Sequence, residues 1–415
     1  MKKVTLLILL SAMILSGCDN NEVTRTYTYQ VNEPVMMSRS DFNKSIKTST
    51  VPEQIEKQGK ICFYEGYLYI SEPQKGIHII NNQNPSSPQN VGYIELMGNA
   101  DLAIRNNMLY ADSFTDLVWF DISNPAKPEL KNRLENAFPT SLPPTDNYWG
   151  VDYRNSPDSV IVGWTTIEKT ETYTYKPCKD CDYVYANAES SSGTSGGKGA
   201  NGSMSRFGLY QDYLYVVLNN RMSVFNLAGD QPEKASQDIP VGWDVETIFS
   251  YKDCMFLGTP TGMLIYSVKN PLIPEYQSAI RHIYGCDPVV VENDMAYVTI
   301  RSGNNCGQNN NELFIVDVSD VKNPKQIVSY TMHNPKGLGI DNNTLFICDE
   351  GLKVYNAQEP QKIMSNLLAH YKGMDGFDVI PYNNILMMIA DDGLYQYDYS
   401  DLNDIKELSK LPIGK

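Results

Sequence analysis

Glu312-Leu313-Phe314-Ile315-Val316-Asp317 is an apolar run closed by an acid, and the chain repeats it. The same pattern stands at Gly76 to Asn81 (GIHIIN), Asp116 to Asp121 (DLVWFD), Arg221 to Asn226 (RMSVFN) and Gly262 to Ser267 (GMLIYS). It returns at Gly351 to Asn356 (GLKVYN) and Gly393 to Asp398 (GLYQYD). In chain order the copies start 40, 105, 41, 50, 39 and 42 residues apart. A unit of about 40 residues cannot bury its own apolar faces, so such units must pack against one another.

The surroundings repeat as well. Upstream lie YEGYLYI (Tyr64 to Ile70), IRNNMLYA (Ile104 to Ala111), YQDYLYV (Tyr210 to Val216), VENDMAYV (Val291 to Val298) and IDNNTLFI (Ile340 to Ile347), each reading as two strands around an Asn/Asp/Gly turn. Downstream, NPSSP (Asn84 to Pro88), NPAKP (Asn124 to Pro128) and NPLIP (Asn270 to Pro274) end the ladder, because Pro has no backbone donor. Four strands per unit with no helical period predict an all-β chain, a β-propeller over residues 56–415. Seven blades account for the copies. The 105-residue gap holds one 40-residue unit and 65 further residues, at about 140–203. Inside it, Asp158 to Trp164 and Thr170 to Lys176 alternate like strands and predict an inserted hairpin, or else a degenerate eighth blade. Glu189 to Ser203 is rich in Gly and Ser and reads as a flexible loop. Residues 18–55 are polar and read as a tether, whose segment Thr26 to Gln30 can add an outer strand.

Leu313 to Asp320 (LFIVDVSD) and Leu117 to Pro125 (LVWFDISNP) resemble the LVIVD-repeat family of bacterial and archaeal surface proteins. The resemblance runs from about Gly59 to the C-terminus, apart from the insertion. It implies the propeller fold and a place at the cell surface. It implies no particular chemistry, since the family has none in common.

The N-terminus supplies the address. Lys2 and Lys3 precede an apolar run from Val4 to Leu15, too short for a comfortable membrane span. It ends in Leu15-Ser16-Gly17-Cys18, which resembles the lipobox of bacterial lipoproteins. The expectation is a signal peptide over residues 1–17 and a lipidated Cys18 that tethers the chain to a membrane, outside the cytoplasm, at the outer membrane or cell surface. Loss of Lys2 and Lys3 would take the net charge from −15 to −17. A surface this acidic disfavours nucleic acid as a partner.

Seven cysteines follow Cys18. Cys178 and Cys181 form a CxxC with no second pair or nearby His to complete a zinc site, and read as a local disulfide. Cys286 and Cys306 flank a predicted hairpin and can pair across it. Cys62, Cys254 and Cys348 lie in apolar strands and read as buried thiols.

The chemistry-bearing motifs are few. His78, His282, His333 and His370 show no HExxH spacing, and Gly193 to Gly197 (GTSGG) sits in low complexity, not at a strand-turn-helix elbow. Aligning the first strand of each repeat places Asp244, Asp287 and Asp375 at one position, with Gly59, Ala100, Ser205 and Lys336 at the matching ones. Such a ring would face the channel and hold a polar ligand or a structural cation, or else each Asp caps its own turn. Trp149, Trp243, Arg206, Phe377 and Tyr148 fall near the same strand starts. No cofactor is implied. The expected function is a non-catalytic, membrane-anchored interaction module for an envelope protein or glycan. The alternative is a polysaccharide lyase or hydrolase using the channel carboxylates.

Overall fold

The structure is a computed structural model that describes residues 23–145, 147, 149–151, 158–175, 204–218, 220–242, 245–281, 288–301 and 311–414. Cys18, Cys178, Cys181, Asp244, Asp287, Cys286, Cys306, Tyr148 and Trp243 lie outside the described residues, as does the Gly/Ser-rich stretch.

Seven antiparallel sheets, each built from one contiguous stretch of chain, form the body. Their first strands are Ile61–Tyr64, Leu102–Arg105, Phe207–Tyr210, Thr247–Tyr251, Val289–Glu292, Leu338–Asp341 and Gly376–Tyr382. Each of these touches the next, and the seventh touches the first, so the ring closes on seven blades. Every predicted LVIVD-like element is the third strand of its blade.

Local chemistry explains the blade. Its hairpin turns carry Asn106-Asn107, Asn293-Asp294, Asn342-Asn343 and Asn383-Asn384, all at positive φ. Type I′ turns need that geometry, and Asn and Asp tolerate it best. The acid or amide ending the third strand also has a task. Asp121, Asp317 and Asp398 each accept the backbone N–H two residues on, at 2.9 Å, and so open the Pro-containing turn. Second and third strands are buried along nearly their whole length, because blades stack face to face on both sides. That is why the motif is a continuous apolar run and does not alternate. Blade-to-blade packing makes the core. One apolar cluster fills each of the seven interfaces, including Ile61, Leu68, Phe377, Met387 and Ile389 between the seventh blade and the first.

That last seam has no shared strand to lock it. Instead Asn82 and Gln396 exchange a reciprocal pair of amide hydrogen bonds, 2.8 and 2.7 Å, in a buried site. Gln396 takes a place that is apolar in the other third strands.

The eighth sheet is the insertion, and it differs from expectation in two ways. Residues 159–175 are one strand, Ser159–Tyr175, and not a hairpin. Its partner is the N-terminal stretch: Val23–Ser38 pairs with it antiparallel from Val23↔Tyr175 to Ser38↔Ser159. The stretch expected as a polar tether is therefore structured from residue 23. No turn residue interrupts Thr165 to Thr170, so nothing folds that segment back on itself. The short strand Gly150–Val151 runs parallel to Val31 and Asn32 on the other edge. The resulting arm is about 50 Å long at strand rise.

The arm is bolted to the second blade. Ser38 caps the short helix Arg39–Lys44, and Phe42 is fully buried with Phe114 and Val160. Arg39 and Arg133 both reach the buried carboxylate of Asp116, at 2.7 and 2.8 Å. Lys47–Ser49 then adds a fifth, outermost strand to the first blade.

Candidate functional site

The face on which the innermost strands begin, here the upper face, holds two features: the throat of the ring and a cleft under the arm. Four residues before the end of each innermost strand, counted from its hairpin turn, stand Lys60, Asp101, Arg206, Thr247, Pro288, Gly337 and Asp378. This is the true inner ring, one position further in than the sequence alignment placed it in five blades and three positions further in at Asp244 and Asp375.

Two of its charges, Lys60 and Asp101, pair with each other. The Lys60 ammonium donates to Asp101, both fully desolvated. Asp101 also accepts the Arg206 backbone N–H at 2.6 Å and that of Leu102 at 2.8 Å. Ser205 donates its hydroxyl to Asp101 at 3.3 Å. Asp112, at the end of the neighbouring strand, accepts from the backbone of Ala100 at 2.7 Å, of Asp101 at 2.9 Å, and from the Asn99 amide at 3.1 Å. Burial pushes the Lys60 ammonium down to about 8, against the pull of Asp101. Burial likewise raises the Asp112 carboxyl to about 6, although its N–H donors oppose this. Across the ring, the Asp378 carboxylate occupies the space left by Gly337, where a Cβ would stand 2.2 Å from its Oδ1. Glycine is required there. Together these groups plug the throat.

The sequence-predicted ring divides under this geometry. Lys336 and Asp375 come together, with Nζ 2.5 Å from Oδ1 and the Asp375 side chain 62% exposed. Asp375 sits three residues before Asp378; a register shift between Gly376 and Asp378 adds one residue there, and the alignment stood one further out. By the same count the position matching Lys336 in the fourth blade is Glu246, so Asp244 lies two residues outside it. Ser205 is buried in the Asp101 network and not free at a channel wall. Burial lowers the nearby Arg301 guanidinium, with Glu246 and Asp375 opposing. Among the described residues no three carboxylate, His or Cys side chains converge as metal ligands would. Phe377 is packed between the seventh blade and the first, whereas Trp149 is exposed beside the arm. Cys254 and Cys348 are buried free thiols and Cys62 is half-buried and free. Burial raises Cys62 to about 12 and Cys348 well above the ordinary thiol, so neither is a nucleophile. His78 packs against Tyr93 with Nε2 2.9 Å from buried Glu72, and burial lowers its pKa.

Sequence reading missed Lys60, Asp101 and Asp112. The available signal was a charge directly abutting an apolar run at both ends of one hairpin, Asp101 before LAI and Asp112 after LYA.

The second feature is a cleft of about 390 Å³ where the arm overhangs the first and second blades. Trp164, Thr166 and Asn147 line its arm side, Gln74 and Phe114 its floor, and Pro143 its edge. Its described lining carries no charged side chain. Buried Asn32 organises the arm wall: its amide donates to Asn147 at 2.8 Å and its carbonyl accepts the Thr166 hydroxyl at 2.8 Å. The Trp164 indole donates to the Pro143 carbonyl at 2.8 Å, which fixes the ring. Uncharged amides, a hydroxyl and an oriented indole suit a neutral polar ligand.

The fold and this upper face define a β-propeller with an appended arm. The chain carries the LVIVD repeat, whose family matches residues 58–95, 98–135 and 288–332. No curated protein matches the sequence. Among solved structures it is similar to the computationally designed Ika8 protein, with 9% identity, a TM-score of 0.50, and coverage of 88% of this chain and 89% of that one. It is also similar to Hsv2 of Kluyveromyces lactis, with 10% identity, a TM-score of 0.48, and coverage of 85% and 99%. At such identities the likeness concerns fold alone. A propeller of LVIVD repeats suggests a non-catalytic interaction module.

Proposed function

We propose that the chain is a lipid-anchored, extracytoplasmic interaction module that holds an envelope protein or glycan on its upper face. Cys18 is the anchor on this reading. One observation carries the choice of face: the Lys60–Asp101 pair is buried at the throat, and an open concave surface lies beside it, under the arm. The uncharged cleft makes it the natural seat for a neutral sugar or peptide segment, and exposed Asp375, paired with Lys336, offers a second, polar contact.

The test is cross-linking and affinity purification of the tagged full-length protein from its native envelope, with Trp164→Ala in parallel. The reading expects one stoichiometric partner or glycan that the variant loses while still folding, as judged by its circular dichroism and melt. An envelope polysaccharide cleaved by the protein, with the cleavage abolished by Asp375→Asn, would overturn it in favour of an enzyme.

A further inference from the structure

The far half of the arm has a sorted surface. Val23 to Gln30 pairs with Glu168 to Tyr175, so Thr24, Thr26 and Thr28 meet Thr174, Thr172 and Thr170 on one face. Their hydroxyls bond pairwise at 3.1, 3.1 and 3.0 Å. The other face carries Arg25, Tyr27 and Tyr29 opposite Tyr173, Glu171 and Lys169. Tyr27, Tyr29 and Tyr173 are 48%, 39% and 53% exposed, and the rings of Tyr27 and Tyr173 lie 6.2 Å apart. The one carboxylate among them, Glu171, is held by the hydroxyls of Tyr173 and Tyr29 and by Lys169, which lower its pKa. The paired segment carries two cations and two carboxylates in a chain of net charge −15. An anionic surface would not repel this neutral segment.

Position completes the argument. Val23, the first described residue of the arm, stands five residues after Cys18. Five extended residues reach at most about 17 Å. An acylated Cys18 therefore brings the tip to the headgroup layer, where tyrosines with an apolar ring and a polar hydroxyl are favoured. A two-stranded ribbon is marginal alone in water and gains from a surface to lie against.

We propose that the tyrosine face of the arm tip rests on phospholipid headgroups, making the arm a strut between the membrane and the propeller. The inference rests on the lipid anchor at Cys18. Its occupant is the lipid surface that receives the acyl chains.

The experiment uses full-length protein in cells fed radioactive phosphate. Benzoylphenylalanine replaces one residue at a time, as Tyr27→benzoylphenylalanine and Tyr173→benzoylphenylalanine. Thr26 and Thr172 serve for the opposite face, and exposed Tyr276 in the fourth blade serves as a remote site. Acylation is followed separately by palmitate incorporation, with Cys18→Ser as its blank. The strut predicts phospholipid adducts at positions 27 and 173 several-fold above those at 26 and 172, and background at 276. Equal labelling of both faces would mean a merely nearby ribbon and would overturn it. Adducts to a second copy or another protein would overturn it by naming a different occupant. Palmitate incorporation without lipid adducts refutes the strut alone, whereas absence of palmitate refutes the anchor and the strut with it.

Discussion

Replacing Asp112 by Asn should make the protein more stable at neutral pH, and the gain should appear only as the pH rises through 4 to 6. Asp112 is buried beneath the throat, and its carboxyl in the folded chain titrates at about 6 against an ordinary 3.8. Between those values the folded state holds a proton that the unfolded state has lost, so stability falls as pH rises across the window. The loss is complete above about 6. At about 1.4 kcal/mol per pH unit it amounts to about 3 kcal/mol. Asn mimics the protonated acid, and its Oδ1 keeps the hydrogen bonds from Ala100, Asp101 and Asn99. Lys60 adds the mirror effect. Its folded value of about 8 lies below an ordinary 10.5, so stability returns as pH rises from 8 to 10.5. These two groups together leave a trough between about pH 6 and 8. The assay is the urea midpoint of wild type and Asp112→Asn from pH 4 to 10. Curves that coincide near pH 4 and separate by about 3 kcal/mol at pH 7 support the reasoning. Parallel curves from pH 4 to 7 would falsify it, because the other acids contribute equally to both proteins and cancel.

Further outcomes follow from the same contacts. Lys60→Met should cost about 3–5 kcal/mol in urea unfolding by stranding buried Asp101, and Lys60→Met with Asp101→Leu should recover most of it. A double variant no better than the single one would show that the Ser205 and Arg206 contacts need the carboxylate. Gln396→Ala should cost about 1–3 kcal/mol by leaving the Asn82 amide unpaired, and hydrogen exchange should quicken first in the first and seventh blades. Uniform quickening around the ring would refute a local seam. Arg39→Ala should loosen the arm, leaving Asp116 to Arg133 alone. Protease cleavage within 159–175 should rise while the propeller melt stays put, and an unchanged cleavage rate would show that Phe42 suffices.

The ring was legible because its signals are local. An apolar run that must be buried on both sides, an Asn pair that must take positive φ and an Asp that must start a turn all lie within one repeat. The arm was not. Alternation in Thr26 to Gln30 and in Thr170 to Lys176 says that each is a strand, yet nothing in either names its partner more than 130 residues away. Reasoning from single positions fails in a similar way at the seam: Gln396 reads as a divergent motif residue until Asn82 is beside it. The throat was half legible. Alignment from the strand start found Lys336 and Asp375, which do meet, but the added residue before Asp378 shifts the count. Counting back from the hairpin turn, whose geometry is fixed, reaches the correct ring of Lys60, Asp101 and Asp378.

The buried charges and the arm are two answers to one constraint. Blades with generic apolar faces can pack against any neighbour, and buried polar contacts add specificity: Lys60 to Asp101 to Ser205 across the first three, and Asn82 to Gln396 at the closing seam. Using charge in this way leaves Lys60, Asp101, Thr247 and Asp378 buried at that level. On the proposed function, recognition then falls to a face or to something added to one. The arm supplies that addition, since strand 23–38 and strand 159–175 come from opposite sides of the first two blades and return to them through Arg39 and Asp116. A ligand in the cleft touches Trp164 of the arm and Phe114 of the ring at once.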